Sequence, residues 1–216
     1  FEGNVTVIEQ AAGLVVVDAG GSPLSGRHIV ARIRAISRKP VRYLIYTHYH
    51  GDHNLGAGAL LDAWPGLTII STAATRENML GQPMAYIKTY DAGNRDTADY
   101  ARQQLKDAKL SPSMRQGWSR LIAAAPAMEA AYRGLKAYPA SLTFTDRLTL
   151  ADPIAPVEVA FLGRANTDGD AVVWTPKQRV LITGDIVVHP VPYASASYPA
   201  DWIAVLGKID AFDYAC

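Results

Sequence analysis

Between Tyr46 and His53 the chain reads Tyr-Thr-His-Tyr-His-Gly-Asp-His, placing three of its five histidines within six residues with an aspartate among them. So dense a group of imidazoles is poor core material, because each ring needs a hydrogen-bond partner once it leaves water. Imidazole nitrogen and carboxylate oxygen are the donors that zinc and similar borderline metals accept. His48 and His50 stand two apart, so in extended backbone their side chains leave one face and can pinch a single ion. Asp52 repeats the offset, while the adjacent His53 must project elsewhere. One short loop can thus serve two neighbouring metals, an arrangement suited to hydrolysis by a hydroxide held between ions.

The elements that must position this loop are legible on either side of it. Val41–Ile45 is an apolar run that predicts a buried strand, so the histidines sit where a strand ends. Before it, Asn4–Ile8 and Leu14–Val17 predict two strands joined through Gly13. Ser22-Pro23 has the signature of a helix start, serine as N-cap and proline at the first helical position. Ile29, Val30, Ile33 and Ile36 then line one helix face, with Arg27, Arg34 and Arg38 off it, and Pro40 ends the helix. His28 in this helix is expected at the surface or as a cap. Strand, helix, strand is a βαβ unit, which implies a largely parallel sheet. After the histidines a helix is expected from about Asn54 to Leu61, its small residues allowing close approach to the sheet, then a strand over 67–70.

From about 73 to 138 the composition shifts to Ala, Gln, Arg and Met, which predicts a helical hairpin inserted in the α/β domain and covering the cleft. Leu142–Phe144 and Arg147–Leu150 flank Thr145-Asp146 and suggest a β-hairpin. Val157–Leu162, Ala171–Trp174 and Arg179–Ile182 are further strands, and Asp201–Ile209 a final amphipathic helix. The order suggests two similar halves forming two stacked sheets flanked by helices.

The 216 residues suffice for one domain with a sizeable core. Twenty-one basic against twenty acidic residues, with no basic cluster along the sequence, point to neither nucleic acid nor an anionic membrane as partner. No apolar run approaches the roughly 20 residues of a membrane span. Cys216 is the lone cysteine, so no disulfide within the chain is expected.

Thr47–His53 resembles the His-x-His-x-Asp-His signature of the metallo-β-lactamase superfamily of hydrolases. Further segments fall in that family's order: Leu14–Gly20 is similar to its early strand ending in Asp-x-Gly, Gly163–Asp170 sits where its third histidine is expected, and Val180–Asp185 resembles its strand ending in Gly-Asp. The resemblance implies a four-layer αββα sandwich. It also implies one or two zinc ions held by His48, His50, Asp52, His53 and Asp185, with Asp185 bridging. A metal-bound hydroxide would attack a carbonyl ester, thioester, lactone or amide of a small-molecule substrate, with Asp52 as the catalytic carboxylate. Asp18 is expected as a turn or cap residue, or, by the resemblance, as a support near the metals.

Two departures from the pattern bear on chemistry. Asn166 replaces the third metal-binding histidine and is either a turn residue or a weak ligand or substrate contact. The chain also stops at Cys216, before the family's glycine–histidine loop, so a truncated C-terminus is expected; His189 is a candidate stand-in and Tyr193 a candidate substrate contact. Aspartate at 185 disfavours a dedicated β-lactamase, though it is compatible with weak β-lactam turnover. The same cluster would also suit a metal-binding or sensor protein without turnover, or iron-based redox chemistry. Members of the family are both exported and cytoplasmic; a periplasmic or secreted location is expected ahead of a cytoplasmic one.

Overall fold

The apolar runs become the strands of two sheets. The computed structural model describes residues 3–195 and 197–215, and only the backbone of Pro83, Tyr86 and residues 88–96; Cys216 and the expectation resting on it lie outside the described residues. In the first sheet β1 (Thr6–Glu9) pairs antiparallel with β2 (Leu14–Val17), and β2, β3 (Val41–Ile45), β4 (Thr68–Thr72) and β5 (Leu142–Phe144) follow in parallel. The second sheet is antiparallel throughout, in the order β6 (Arg147–Leu150), β7 (Val157–Phe161), β8 (Ala171–Thr175), β9 (Val180–Ile182).

Strand alternation distributes side chains into three cores. Leu14 and Val16 of β2 face the helices, where they meet Val30, Ile33 and Leu60. Val15 and Val17 point the other way and join Ile45, Ile70, Val157, Val159 and Val173 between the sheets. Val172 of β8 packs on the outer side of the second sheet with Trp202, Val205 and Ile209. Helix, sheet, sheet, helix is therefore the layer order, and β2 is an unbroken apolar run because both of its faces are covered. Burying each such side chain contributes about 1.5–3 kcal/mol.

Helix α1 (Pro23–Ile36) starts as its sequence dictates, the Ser22 hydroxyl accepting from the Ser25 N–H at 3.1 Å with Pro23 in the first turn. His28 on it is exposed, as expected. The helix after the histidines is split into α2 (Gly51–Asn54) and α3 (Ala57–Ala63). Gly56, between them, sits so close to the neighbouring loop that a Cβ would lie 2.0 Å from the Ala19 carbonyl oxygen, and one on Gly26 would lie 2.1 Å from Gly56 O. Glycine is required at this crossing, which holds the histidine loop against α1.

Between β4 and β5 lie α4 (Ala73–Leu80), a 3-10 segment (Gln82–Thr89), α5 (Tyr90–Gln104) and α6 (Pro112–Tyr132), the last running through Pro126. The expected hairpin is α5 packed on α6, and α6 also leans on α1. The part of this region that reaches the histidine side is α4: its Thr75 hydroxyl and the preceding Thr72 hydroxyl donate to Gly169 O, and Asn78 donates to Asp168. The hairpin expected at Thr145-Asp146 is not formed. β5 pairs with β4 and β6 with β7, and the link carries the chain from one sheet to the other. Thr-Asp lacks the glycine or asparagine that a two-residue reversal favours, and each strand finds its ladder elsewhere. The second sheet is closed by α7 (Pro199–Asp210). No helix among the described residues is long and apolar enough to cross a membrane.

Candidate metal centre

The centre lies where β2, β3, β7 and β9 end. Directly after β2, Asp18 adopts a left-handed backbone, φ 63°, which aspartate tolerates better than most residues. This turns its buried carboxylate towards the loop after β3. Oδ1 accepts the Thr47 N–H at 2.8 Å; Oδ2 accepts the Thr47 hydroxyl at 2.8 Å and lies 2.7 Å from His53 Nδ1. Of the two readings of Asp18, turn or cap residue and support for the histidines, the structure favours the second: it stands at a turn, and its side chain organises the histidines.

Asp18 is an acceptor, so His53 carries its proton on Nδ1 and directs Nε2 towards Asp185. The Thr47 hydroxyl spends its proton on Asp18 and so accepts from His48 Nδ1, 3.0 Å away. His48 Nε2 is thereby left as a bare lone pair. One carboxylate thus sets the tautomers of two imidazoles, as the outer partners of ligating histidines do.

His48 Nε2 lies 3.0 Å from His50 Nδ1, a separation at which two ring nitrogens share a proton or a cation. Burial pushes the His48 pKa well down, and neighbouring His53 and His50 push it further. Burial also lowers His50, against the opposing pull of Asp52 and Asp185. Both rings are therefore held in the neutral form that ligates metal. His53 differs. Burial lowers its pKa, but the hydrogen bond to Asp18 and the nearby carboxylates of Asp185 and Asp52 outweigh this and hold it at about 11. Its Nε2 is 3.2 Å from Asp185 Oδ1 and 3.6 Å from Asp52 Oδ2, in a geometry that completes no hydrogen bond. The carboxylates that stabilise a proton there equally favour a cation in its place.

Asp185 follows β9 in a 3-10 turn (Gly184–Ile186). Gly184 has φ 52°, and a Cβ on it would lie 2.6 Å from Thr47 Cβ, so glycine lets this turn press against the histidine loop. Asp185 presents one oxygen to each imidazole group: Oδ1 to His53, and Oδ2 to His48 Nε2 at 3.8 Å. Burial raises its pKa, yet the close approach of His53 brings it below the usual carboxylate range.

Asn166, in the loop after β7, is buried beside His50, with Nδ2 3.4 Å from His50 Nδ1 and Oδ1 buried without a partner. Asp170 shapes this loop. Its Oδ2 accepts the backbone N–H groups of Thr167 at 2.6 Å and Ala165 at 3.2 Å. Burial pushes the Asp170 pKa up to about 7 against those bonds.

Among the described residues, His48, His50 and Asp185 each offer an atom within 4.8 Å of the others, as donors to a single ion must. Asp52 and His53 form an adjacent pair reaching the other oxygen of Asp185. His189 is exposed and stands outside the group. Tyr49 and Tyr193 set their rings edge-on to His50 at centroid distances of 4.7 Å and 5.9 Å. Thr47 and Asp170 carry no motif signal of their own, and sequence reasoning missed them.

Comparison with known proteins bears on the fold and the family. The linear primary-alkylsulfatase of Pseudomonas sp. (strain ATCC 19151) is 27% identical over 224 residues, covering 95% of this chain and 39% of that protein. The chain thus spans well under half of that relative's length. Among solved structures, metallo-beta-lactamase IND-7 superposes with a TM-score of 0.63 at 17% identity, covering 99% of this chain and 74% of that one. The metallo-beta-lactamase from Pontibacter korlensis gives 0.61 at 17% identity, with coverages of 94% and 71%. FIM-1 from Pseudomonas aeruginosa, in its mono-zinc form, gives 0.58 at 14% identity, with coverages of 97% and 72%. Residues 1–212 match the family described as the metallo-beta-lactamase superfamily, and the chain belongs to that superfamily.

Proposed function

We propose that this chain is a zinc-dependent hydrolase acting on an ester, thioester, lactone or amide of a small molecule. The observation that carries the reading is the relay through Asp18 and Thr47, which strips the proton from His48 Nε2 and turns His53 Nε2 inward while Asp185 offers one oxygen to each. Imidazoles, carboxylates and one amide are a donor set that fits zinc, and His53 Nε2 and Asn166 Oδ1 are buried without a hydrogen-bond partner. His48, His50 and Asn166 would hold one ion, Asp52 and His53 a second, with Asp185 serving both. What zinc supplies when bound is Lewis acidity, which brings the pKa of water towards neutrality and draws charge from the attacked group.

The chain's own residues supply the rest. Asp52 is the most exposed of the acidic groups around His53, its side chain 42% accessible, so it can take a proton from the attacking water and return it to the leaving group. The Tyr49 and Tyr193 rings beside His50 form an apolar wall for the body of the substrate. The chain loaded with zinc should hydrolyse at least one member of a panel of aryl esters, thioesters, acyl lactones, β-lactams and alkyl sulfates. Zinc uptake with no turnover on any of them would leave a metal-binding or sensor role. The sulfate ester belongs in the panel because the alkylsulfatase matches 95% of this chain.

Asn166 sets the affinity of the first seat. An amide oxygen is a weaker zinc donor than imidazole, so Asn166→His should tighten zinc binding by about tenfold or more, read by competition with a chromophoric chelator. Unaltered affinity would mean that residue 166 stays outside the coordination sphere.

A further inference from the structure

On the outer helical layer, α1, α3 and the segment after α6 enclose a cleft of about 530 Å³. Its cations come from two separate parts of the chain. Arg27 and Arg34 stand seven residues apart on α1, close to two helical turns, which puts them on one face about 10 Å apart. Arg133 and Lys136 form the opposite lip, beyond the end of α6. Asp62 is the single acidic residue lining the cleft, so it carries a surplus of three positive charges in a chain whose whole net charge is +1.

None of the four cations makes an ion pair among the described residues. Two of them are held by ring faces instead. The Arg34 guanidinium lies 5.6 Å from the centroid of Trp64, and Lys136 Nζ lies 5.1 Å from that of Tyr138. A ring face orients a cation without neutralising it, so the charge remains available to a ligand. The floor is apolar. Val30 and Leu55 are buried there and the ring of Tyr138 borders it, while Gly58 leaves the room that ring fills, since a Cβ on it would lie 2.9 Å from Tyr138 Cε2.

Cations on two lips over an apolar floor, in a concavity of small-molecule size, are complementary to an amphiphilic ligand. We propose that this cleft is a second binding site, separate from the histidine centre, for a small organic anion with an apolar body and two acidic groups.

Naphthalene-2,6-disulfonate is a suitable probe, because its sulfonates are poor zinc ligands and its ring system matches the floor. Fluorescence titration of the zinc-loaded chain should show one saturable site that weakens as salt rises. Arg27→Glu combined with Arg34→Glu should raise the Kd about tenfold or more. The gentler pair Arg27→Gln and Arg34→Gln should raise it by less while helix content by circular dichroism stays unchanged. Arg38→Glu, just past the end of α1 and outside the lining, should leave the Kd as it was. Equal affinity in the charge-reversed and parent proteins would overturn the proposal. So would loss of binding in His50→Ala with retention in the arginine variants, which would place the probe at the histidines.

Discussion

His50→Ala should lower turnover by about 10²–10⁴-fold, since a metal's polarising effect is worth several kcal/mol and each 1.4 kcal/mol is a factor of ten. His50 is only partly buried and bonds mainly to other members of the centre, so its removal should cost the fold little. What it takes away is the nitrogen 3.0 Å from His48 Nε2, and with it the pair of neutral imidazoles that define the first seat. Asn166 then has only His48 and one oxygen of Asp185 for company, too few strong donors to hold zinc against water. Zinc per chain by elemental analysis should fall along with the rate, while the circular dichroism spectrum is kept. Full activity and an unchanged zinc content in this variant would refute the assignment of the centre.

The second large effect is expected at Asp18, and there it should fall on stability as well as chemistry. Its carboxylate is buried, takes both Thr47 donors and lies against His53 Nδ1, so Asp18→Ala strands three donors at once. Breaking a buried charged pair by removing one partner costs about 3–5 kcal/mol. Alanine at a φ of 63° adds about 1–2 kcal/mol, because its Cβ crowds the following carbonyl there. Asp18→Asn tolerates the backbone but turns one accepting oxygen into a donor that opposes either Thr47 N–H or His53 Nδ1–H. It should therefore cost less in denaturant unfolding and still weaken zinc binding by about 10–100-fold, as loss of an outer partner of ligating histidines does. A variant with unfolding free energy and zinc affinity both unchanged would show that the relay has no part in the site.

How much of this is legible in the sequence depends on how local each signal is. The histidine cluster, the strand before it and the Ser22-Pro23 helix start all lie within a few residues, and the structure keeps them as read. The four-layer order could be expected from the resemblance, and it emerges physically because β2 is apolar on both faces. From the residues alone Asp18 is legible as a turn or cap residue, since Asp-Ala-Gly-Gly is turn chemistry, and only the resemblance suggests a support near the metals; its partners Thr47 and His53 are 29 and 35 residues away, and only folding brings them together. Thr145-Asp146 misleads for a related reason. Two short strands beside a polar pair look like a hairpin, yet their partners Ile70–Thr72 and Val157–Ala160 lie elsewhere in the chain. The basic cleft leaves no trace along the sequence because its two lips are about a hundred positions apart.

The press of Gly184 against Thr47 has a consequence for the molecule as a whole. His48, His50, Asp52 and His53 hang from the first sheet, whereas Asn166 and Asp185 hang from the second. An ion shared among them, as proposed, would be a rivet through both plates of the sandwich. Resistance to unfolding would then rise with free zinc by mass action, and zinc scarcity would loosen the grip of one half on the other before either half lost its own strands.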